Sequence, residues 1–290
     1  MPNLINYHFH DELSADGTAP LALHCAAADG SFRSICVTNH AETLDGGREW
    51  RADPDEMIER FGRSAESVRA AAARYPDLQI RLGVELEYRR EWRAPFERLL
   101  SEIPFDFVLG SVHIVDGLNI SGGRDIDKYF LPRSQRSAYE AYFRQVGEMV
   151  EWGAFDVVAH FDLIKRYGHR HFGPFAPRSY RSCIEPILAK MARKRIGIEI
   201  NTSGVSQAPG VPYPEPEILE WAHQVGGEIL TIGSDSHSPD RFAQGLEAGA
   251  RLALETGWKE FTLYEARTPV GRVPIRRGRP AAWRPSLTDR

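Results

Sequence analysis

The chain has 290 residues, 42% hydrophobic and 26% charged, with 36 basic against 40 acidic side chains and a net charge of −4. That balance is ordinary for a globular protein and gives no sign of a nucleic-acid or membrane surface. No apolar run approaches the length of a membrane-spanning helix, no leader peptide is visible at Met1-Pro2-Asn3-Leu4, and Cys25, Cys36 and Cys183 have the odd, wide spacing of free thiols, so the expectation is a cytoplasmic protein.

Leu4 to His10 reads as a first strand, and the two-residue period puts His8 and His10 on one face. Asp16 follows in the turn Ser14-Ala15-Asp16-Gly17, from which it can lean back over the strand end. Pro20 opens a helix from Leu21 to Asp29 that Gly30 stops. Ser34 to Thr38 is a second strand leading to Asn39-His40, followed by a Gly-rich loop, 44–48. Asp53 caps, and Pro54 begins, a helix to about Tyr75. Leu78 to Glu85 is the third strand, 91–102 a helix, and Phe105 to Ser111 the fourth strand, ending at His113. The stretch 116–133 shows no clear period and is predicted to be a long loop of the kind that covers a site.

Ser134 to Trp152 carries apolar residues at helical spacing. Phe155 to Ala159 is the fifth strand, ending at His160. A Gly/His/Pro-rich loop, 167–177, then leads into a helix from about Arg178 to Lys194. Arg195 to Ile200 is the sixth strand, ending at Asn201, and Pro214 to about Val225 a helix. Glu228 to Ile232 is the seventh strand, ending in Gly233-Ser234-Asp235-Ser236-His237; a helix from Arg241 to Glu255 and a short strand, Glu260 to Tyr264, complete the pattern. Seven alternations of strand and helix predict parallel βαβ units in one α/β domain, 1–265. Residues 266–290, rich in arginine and proline, are expected to be an extended or loosely ordered basic tail.

The strand ends carry the chemistry. His8 and His10, His40, Glu85, His113, His160, and Asp235 with His237 each fall where a strand finishes, and in an α/β barrel that is the end at which active sites are built. Imidazole with carboxylate suits zinc, manganese or iron. With Asp16 the set numbers nine, too many for one ion and enough for two or three. Clustered cations about 3.5–4 Å apart can share a hydroxide and clamp the attacking and leaving oxygens of a phosphoryl displacement.

These segments, His8-Phe9-His10 with Asp16, Thr38-Asn39-His40, Gly83-Val84-Glu85, Gly110-Ser111-Val112-His113, Ala159-His160-Phe161-Asp162-Leu163-Ile164 and Gly233-Ser234-Asp235-Ser236-His237, resemble the motifs of the PHP (polymerase and histidinol phosphatase) family of metal-dependent phosphoesterases. The resemblance implies a distorted seven-stranded (β/α)7 TIM-like barrel with a trinuclear site at the C-terminal ends of the strands. It assigns His8, His10, Glu85 and Asp235 to one ion and Asp16, His40 and His237 to a second. Glu85, His113 and His160 go to a third, with Glu85 bridging. Within the family the chain is most similar to the stand-alone histidinol-phosphate phosphatases, through 160–167 and 258–269. It departs from the pattern at Tyr7, Asp11 and Asn39.

The implied reaction is hydrolysis of a small phosphate monoester, first of all L-histidinol phosphate, by a hydroxide bridging the metals. Arg166 would neutralise the equatorial oxygens, and Asp235, His237 or a metal-bound water would protonate the leaving alkoxide. Lys165 and Asn201 are further candidates for substrate contact, with Arg48 and Arg124 weaker ones. His169 and His171 are expected at the mouth of the site or outside it, and His24 and His223 to be structural. The alternatives are a PHP phosphoesterase for a sugar phosphate, nucleotide or cyclic phosphate, a nuclease, and a catalytically inactive metal-binding scaffold. An amidohydrolase is less suited, because no lysine ends strand four.

Overall fold

The computed structural model describes residues 4–45 and 49–276. Seven strands form one parallel sheet in chain order: β1 Leu4–Asn6, β2 Phe32–Val37, β3 Gln79–Glu87, β4 Phe107–Ser111, β5 Val157–Val158, β6 Gly197–Asn201 and β7 Leu230–Gly233. The sheet closes on itself because the chain beyond β1 pairs with the end of β7. Tyr7 N–H donates to the Ile232 carbonyl at 2.9 Å, Asp235 N–H to that of His8 at 2.8 Å and His10 N–H to that of Ser236 at 2.9 Å. The predicted first strand therefore does pair along its length, but through two different neighbours. The barrel is distorted by the two-residue β5 and by a register shift between β1 and β2.

Helices α1 Leu21–Ala28, α2 Pro54–Arg74, α3 Arg93–Glu102, α4 Ile126–Phe130, α5 Gln135–Trp152, α6 Lys165–Phe172, α7 Arg181–Lys194, α8 Pro216–Gln224 and α9 Leu246–Glu255 connect successive strands. Local chemistry fixes their ends as the sequence indicates. Asp53 accepts from the N–H groups of Asp55 and Glu56 at the start of α2, and Ser134 from that of Ser137 at the start of α5. Among the described residues no helix is long and apolar enough to cross a membrane.

Four stretches differ from expectation. The predicted loop 116–133 begins inside a tight hairpin, 114–119, and continues into α4. Asn119 takes the N–H groups of Ser121 and Gly122 into its side chain to make the turn, and Ile126, Tyr129 and Phe130 bury the short helix. The loop 167–177 is helical up to Phe172. Gly168, which reads as a breaker in isolation, lies where a Cβ would sit 2.3 Å from the Tyr139 hydroxyl, so packing selects it inside α6. Thr43–Asp45 and Glu49–Arg51 pair as a hairpin around the Gly-rich loop, whose Arg48 lies outside the described residues.

The fourth is the beginning of the expected basic tail. Thr268–Pro274 is strand β9, antiparallel to β8 Glu260–Glu265. This hairpin plugs the floor of the barrel: Tyr264 N–H donates to the Tyr7 hydroxyl at 3.2 Å, Tyr264 packs on Phe107, and Arg267 binds Asp156 at 2.9 Å. Residues 277–290 of that tail lie outside the described residues.

Candidate metal centre

With the floor closed by aromatic rings, the open end of the barrel is left to polar groups. His8 and His10 leave β1 on alternate positions with Phe9, whose ring packs away from them against His24 and Phe242. The His8 Nε2 lies 3.2 Å from Glu85 Oε2 and 3.6 Å from Asp235 Oδ1. The His10 Nε2 lies 3.6 Å from the same Glu85 oxygen and 3.4 Å from the same Asp235 oxygen. Next to this group, Asp16 Oδ2 is 2.9 Å from His237 Nε2 and 3.6 Å from His40 Nε2. On the other side, Glu85 Oε1 is 3.0 Å from His160 Nε2 and 3.6 Å from His113 Nε2. The eight strand-end residues and Asp16 thus converge, in three groups that share Glu85 or adjoin at His10.

Two sharp turns aim these side chains inward. His160 and Asp235 both have positive φ, 25° and 51°. A non-glycine residue held there costs about 1–3 kcal/mol, so the surroundings must hold it. The His160 N–H donates to Glu199 Oε2 at 2.9 Å and the Asp235 N–H to the His8 carbonyl at 2.8 Å. The loop carrying Asp16 is tied to β2 by a reciprocal pair: Asn39 Nδ2 donates to Asp11 Oδ1 at 2.7 Å, and Asp11 N–H donates to Asn39 Oδ1 at 2.9 Å. Two departures of the sequence from the family pattern are therefore one matched pair. Arg60, from α2, donates to the carbonyls of Leu13, His40 and Ala41 and fixes the same corner from behind.

The charges are arranged for cations. Burial alone would raise the pKa of Glu85, but His40 and His8 outweigh it and hold the carboxyl well below its ordinary range. Asp235 is likewise lowered by His8 and His10 against its burial, and Asp16 by His237 and His40. Burial with the neighbouring His237 and His40 pushes His10 down to about 3, leaving a neutral imidazole. His40 moves the other way, to about 10, because Glu85 and Asp16 outweigh its burial. The His10 Nε2 and His40 Nδ1 are buried without a hydrogen-bond partner, which is rare unless something else belongs there. Imidazole nitrogens orphaned at 3.1–3.6 Å from ionised carboxylates fit divalent cations placed between them.

Three carboxylates escaped the sequence reading. Glu199 Oε1 is 2.8 Å from His8 Nδ1. Glu87 Oε2 is 2.9 Å from His113 Nδ1, and Glu42 Oε1 3.5 Å from His40 Nδ1. A signal was present for two of them: Glu87 shares the Glu85 face of β3, and Glu199 interrupts an apolar strand two residues before Asn201.

Other candidates fall elsewhere. Lys165 is not at an open rim: it is buried, 3.1 Å from Asp162 and 3.0 Å from Glu215, and donates to the Pro212 carbonyl. Asn201 is also buried, and it braces rather than reaches out. Its Nδ2 lies 3.2 Å from both Glu199 Oε2 and Asp235 Oδ2, while its Oδ1 accepts from Ser203. Arg166 is half-buried at the first turn of α6, its guanidinium 5.3 Å from the Tyr167 ring centroid. His171 stacks on Phe130 and faces Asp127, and His169 lies in the last turn of α6; among the described residues neither belongs to a metal-ligating group. His24 packs in the core beside Phe9, and His223 against Trp258. Arg124 sits in a 3-10 turn before α4.

Comparison with known proteins agrees with this geometry. The family model described as "PHP domain" matches residues 6–203, more than half of the chain. The histidinol-phosphatase of Lactococcus lactis is 24% identical over 271 residues, which cover 90% of this chain and 94% of that protein. That of Saccharomyces cerevisiae is 21% identical over 94% of this chain and 95% of its own length. Among solved structures, histidinol phosphate phosphatase from Lactococcus lactis, complexed with zinc, L-histidinol and phosphate, superposes with a TM-score of 0.77 at 21% identity, covering 93% of this chain and all of that one.

Proposed function

This chain belongs to the PHP domain family, and from that membership and the geometry of the centre we propose that it hydrolyses L-histidinol phosphate to L-histidinol and phosphate. It is a metal-dependent phosphoric monoester hydrolase. The observation that carries the reading is Glu85, whose two oxygens face separate histidine groups from one buried position. His8, His10, Glu85 and Asp235 would hold one cation, Asp16, His40 and His237 a second, and Glu85, His113 and His160 a third. When bound, such ions supply an activated water and take up negative charge on the phosphoryl oxygens.

The chain's own residues do the rest. Asp235 is held ionised, with Oδ1 toward His8 and His10 and Oδ2 accepting from Asn201 and Ser203, which suits it to ligate a cation. A carboxyl held so far below its ordinary range is a weak base, so the proton for the leaving alkoxide would come from a metal-bound water. His237 keeps its Nδ1–H on the Asp235 carbonyl at 3.1 Å, which leaves Nε2 free to ligate. Arg166, which has no buried acid of its own in the described structure, pairs with the non-bridging phosphate oxygens. Lys165 and Asn201 support the site from behind and do not touch substrate. A cytoplasmic enzyme of histidine biosynthesis follows from this substrate.

The test is phosphate release from a panel of esters by protein of measured metal content. Histidinol phosphate should be the preferred ester, with turnover abolished by chelation and restored by zinc, manganese or iron. Comparable turnover of many esters without histidinol phosphate would assign the chain to another phosphoesterase. Bound metal with no phosphate released from any ester would make it a scaffold.

A further inference from the structure

We propose that Glu199 is a positioning residue that holds two of the three histidine groups at once, so that metal on the His8 side and metal on the His160 side are gained or lost together. The proposal rests on the metal-centre reading above.

Glu199 lies in the middle of β6 and is fully enclosed between Ile198 and Ile200. A carboxylate taken out of water must have its oxygens satisfied. Here they are divided between two ligands, with the Asn201 amide also donating to Oε2 at 3.2 Å. Oε1 is 2.8 Å from His8 Nδ1, and because a carboxylate only accepts, Nδ1 carries the proton. The lone pair of His8 is thereby set on Nε2, the atom that faces Glu85 and Asp235. Oε2 accepts the backbone N–H of His160 at 2.9 Å, at the residue whose φ is 25°. That bond fixes the turn that delivers His160 Nε2 to within 3.0 Å of Glu85 Oε1. One side chain therefore orients a ligand of the first group through its ring and a ligand of the third through its backbone.

The strand between them, β7, which pairs with β6 on one side and with the chain beyond β1 on the other, is shaped for this pair. A Cβ on Gly233 would lie 2.2 Å from the His8 Cβ and 2.5 Å from Glu199 Oε1, so the end of β7 leaves room for the His8–Glu199 contact only as glycine. Glu87 provides a contrast. It accepts from His113 Nδ1 at 2.9 Å and from the N–H groups of His113 and Ile114 at 2.7 Å and 2.9 Å, all in a single group.

Glu199→Gln keeps one acceptor and replaces the other by a donor. The amide must then face a donor at His8 or at His160. Either His8 moves its proton to Nε2 and cannot ligate, or the turn at His160 loses its anchor.

The full chain and the variants Glu199→Gln, Gly233→Ala and Glu87→Gln are dialysed against buffered free zinc, and bound zinc per chain is measured by elemental analysis. Glu199→Gln and Gly233→Ala should need about 10- to 100-fold more free zinc and should lose two ions per chain in one step. Glu87→Gln should lose one. Glu199→Gln that fills like the wild type, or that loses a single ion, overturns the proposal. A wild-type chain that takes up no zinc overturns the metal-centre reading instead. Nitrogen-15 histidine NMR of the zinc-loaded wild type needs no variant to fold. His8 should carry its proton on Nδ1, and a proton on Nε2 overturns the proposal.

Discussion

Glu85 shows how much one residue can be asked to do. Its Oε2 faces His8, His10 and His40, its Oε1 faces His113 and His160, and it has no exposure to solvent. Glu85→Gln removes the negative charge that every neighbouring imidazole leans on. Elemental analysis should show loss of bound metal, and turnover should fall by about 100-fold or more. Arg166→Ala tests a different role. If the guanidinium binds phosphate, KM should rise by about 10- to 100-fold, the worth of a charge-assisted hydrogen bond, with metal content unchanged. Steady-state kinetics beside elemental analysis separates the two variants.

At the scale of elements, the contribution of α6 is to hold the chain after β6. Lys165, at its start, binds Asp162 and Glu215 and so links β5 to the approach to α8. Burial pushes the Asp162 carboxyl up, and Lys165 is the cation that opposes this. Lys165→Ala leaves a buried carboxylate without its cation and should destabilise the protein by about 3 kcal/mol, read from the denaturant midpoint of the metal-free chain. KM should be unaffected, because Lys165 does not reach the mouth. The hairpin of β8 and β9 works at the other end. Arg267 binds Asp156 and the Ala154 carbonyl, and Ala266 N–H reaches Asp106, so this pair of strands is part of the barrel floor.

At the scale of the molecule, a centre built from imidazoles and acids binds metal in competition with protons. In the metal-free chain His40 is raised to about 10 by Glu85 and Asp16, and His8 is raised well above its ordinary value by Glu199 and Glu85, in both cases against burial. A histidine whose folded pKa is raised stabilises the fold fully below about 6.5, and that contribution is lost as pH climbs through the folded value. Glu87, raised by burial to about 8, acts with the same sign, because the unfolded carboxyl ionises first. The metal-free protein should therefore lose thermal stability between about pH 6.5 and 10. Metal uptake requires those protons to leave, so the stabilisation added by zinc should grow over the same interval. Thermal unfolding with and without zinc across that range checks both trends, and parallel curves would contradict the assignment of His40 and His8.

The sequence by itself determined the alternation of strands and helices and the residues that end each strand. Both follow from short-range rules: a period of two or 3.6, a capping Asp53, a histidine after the last apolar residue of a strand. It also brought forward the nine candidate donors, which the closed barrel then gathers at one end. Short-range rules could not reveal what stands behind those donors. Glu199 is one acid in an apolar strand until β6 sets it against His8, some 191 positions away in the chain. Lys165 and Asn201 read as substrate contacts because both follow strand ends, and only the packing of the chain around 201–215 turns them inward. Gly168 inside α6 was likewise decided by the Tyr139 ring, and the strand at Thr268–Pro274, which pairs with the adjacent β8, by the docking of that hairpin on Tyr7, Phe107 and Asp156. Donors are a property of residue type and local position, whereas their tautomers, charges and supports depend on which surfaces the closed barrel brings face to face.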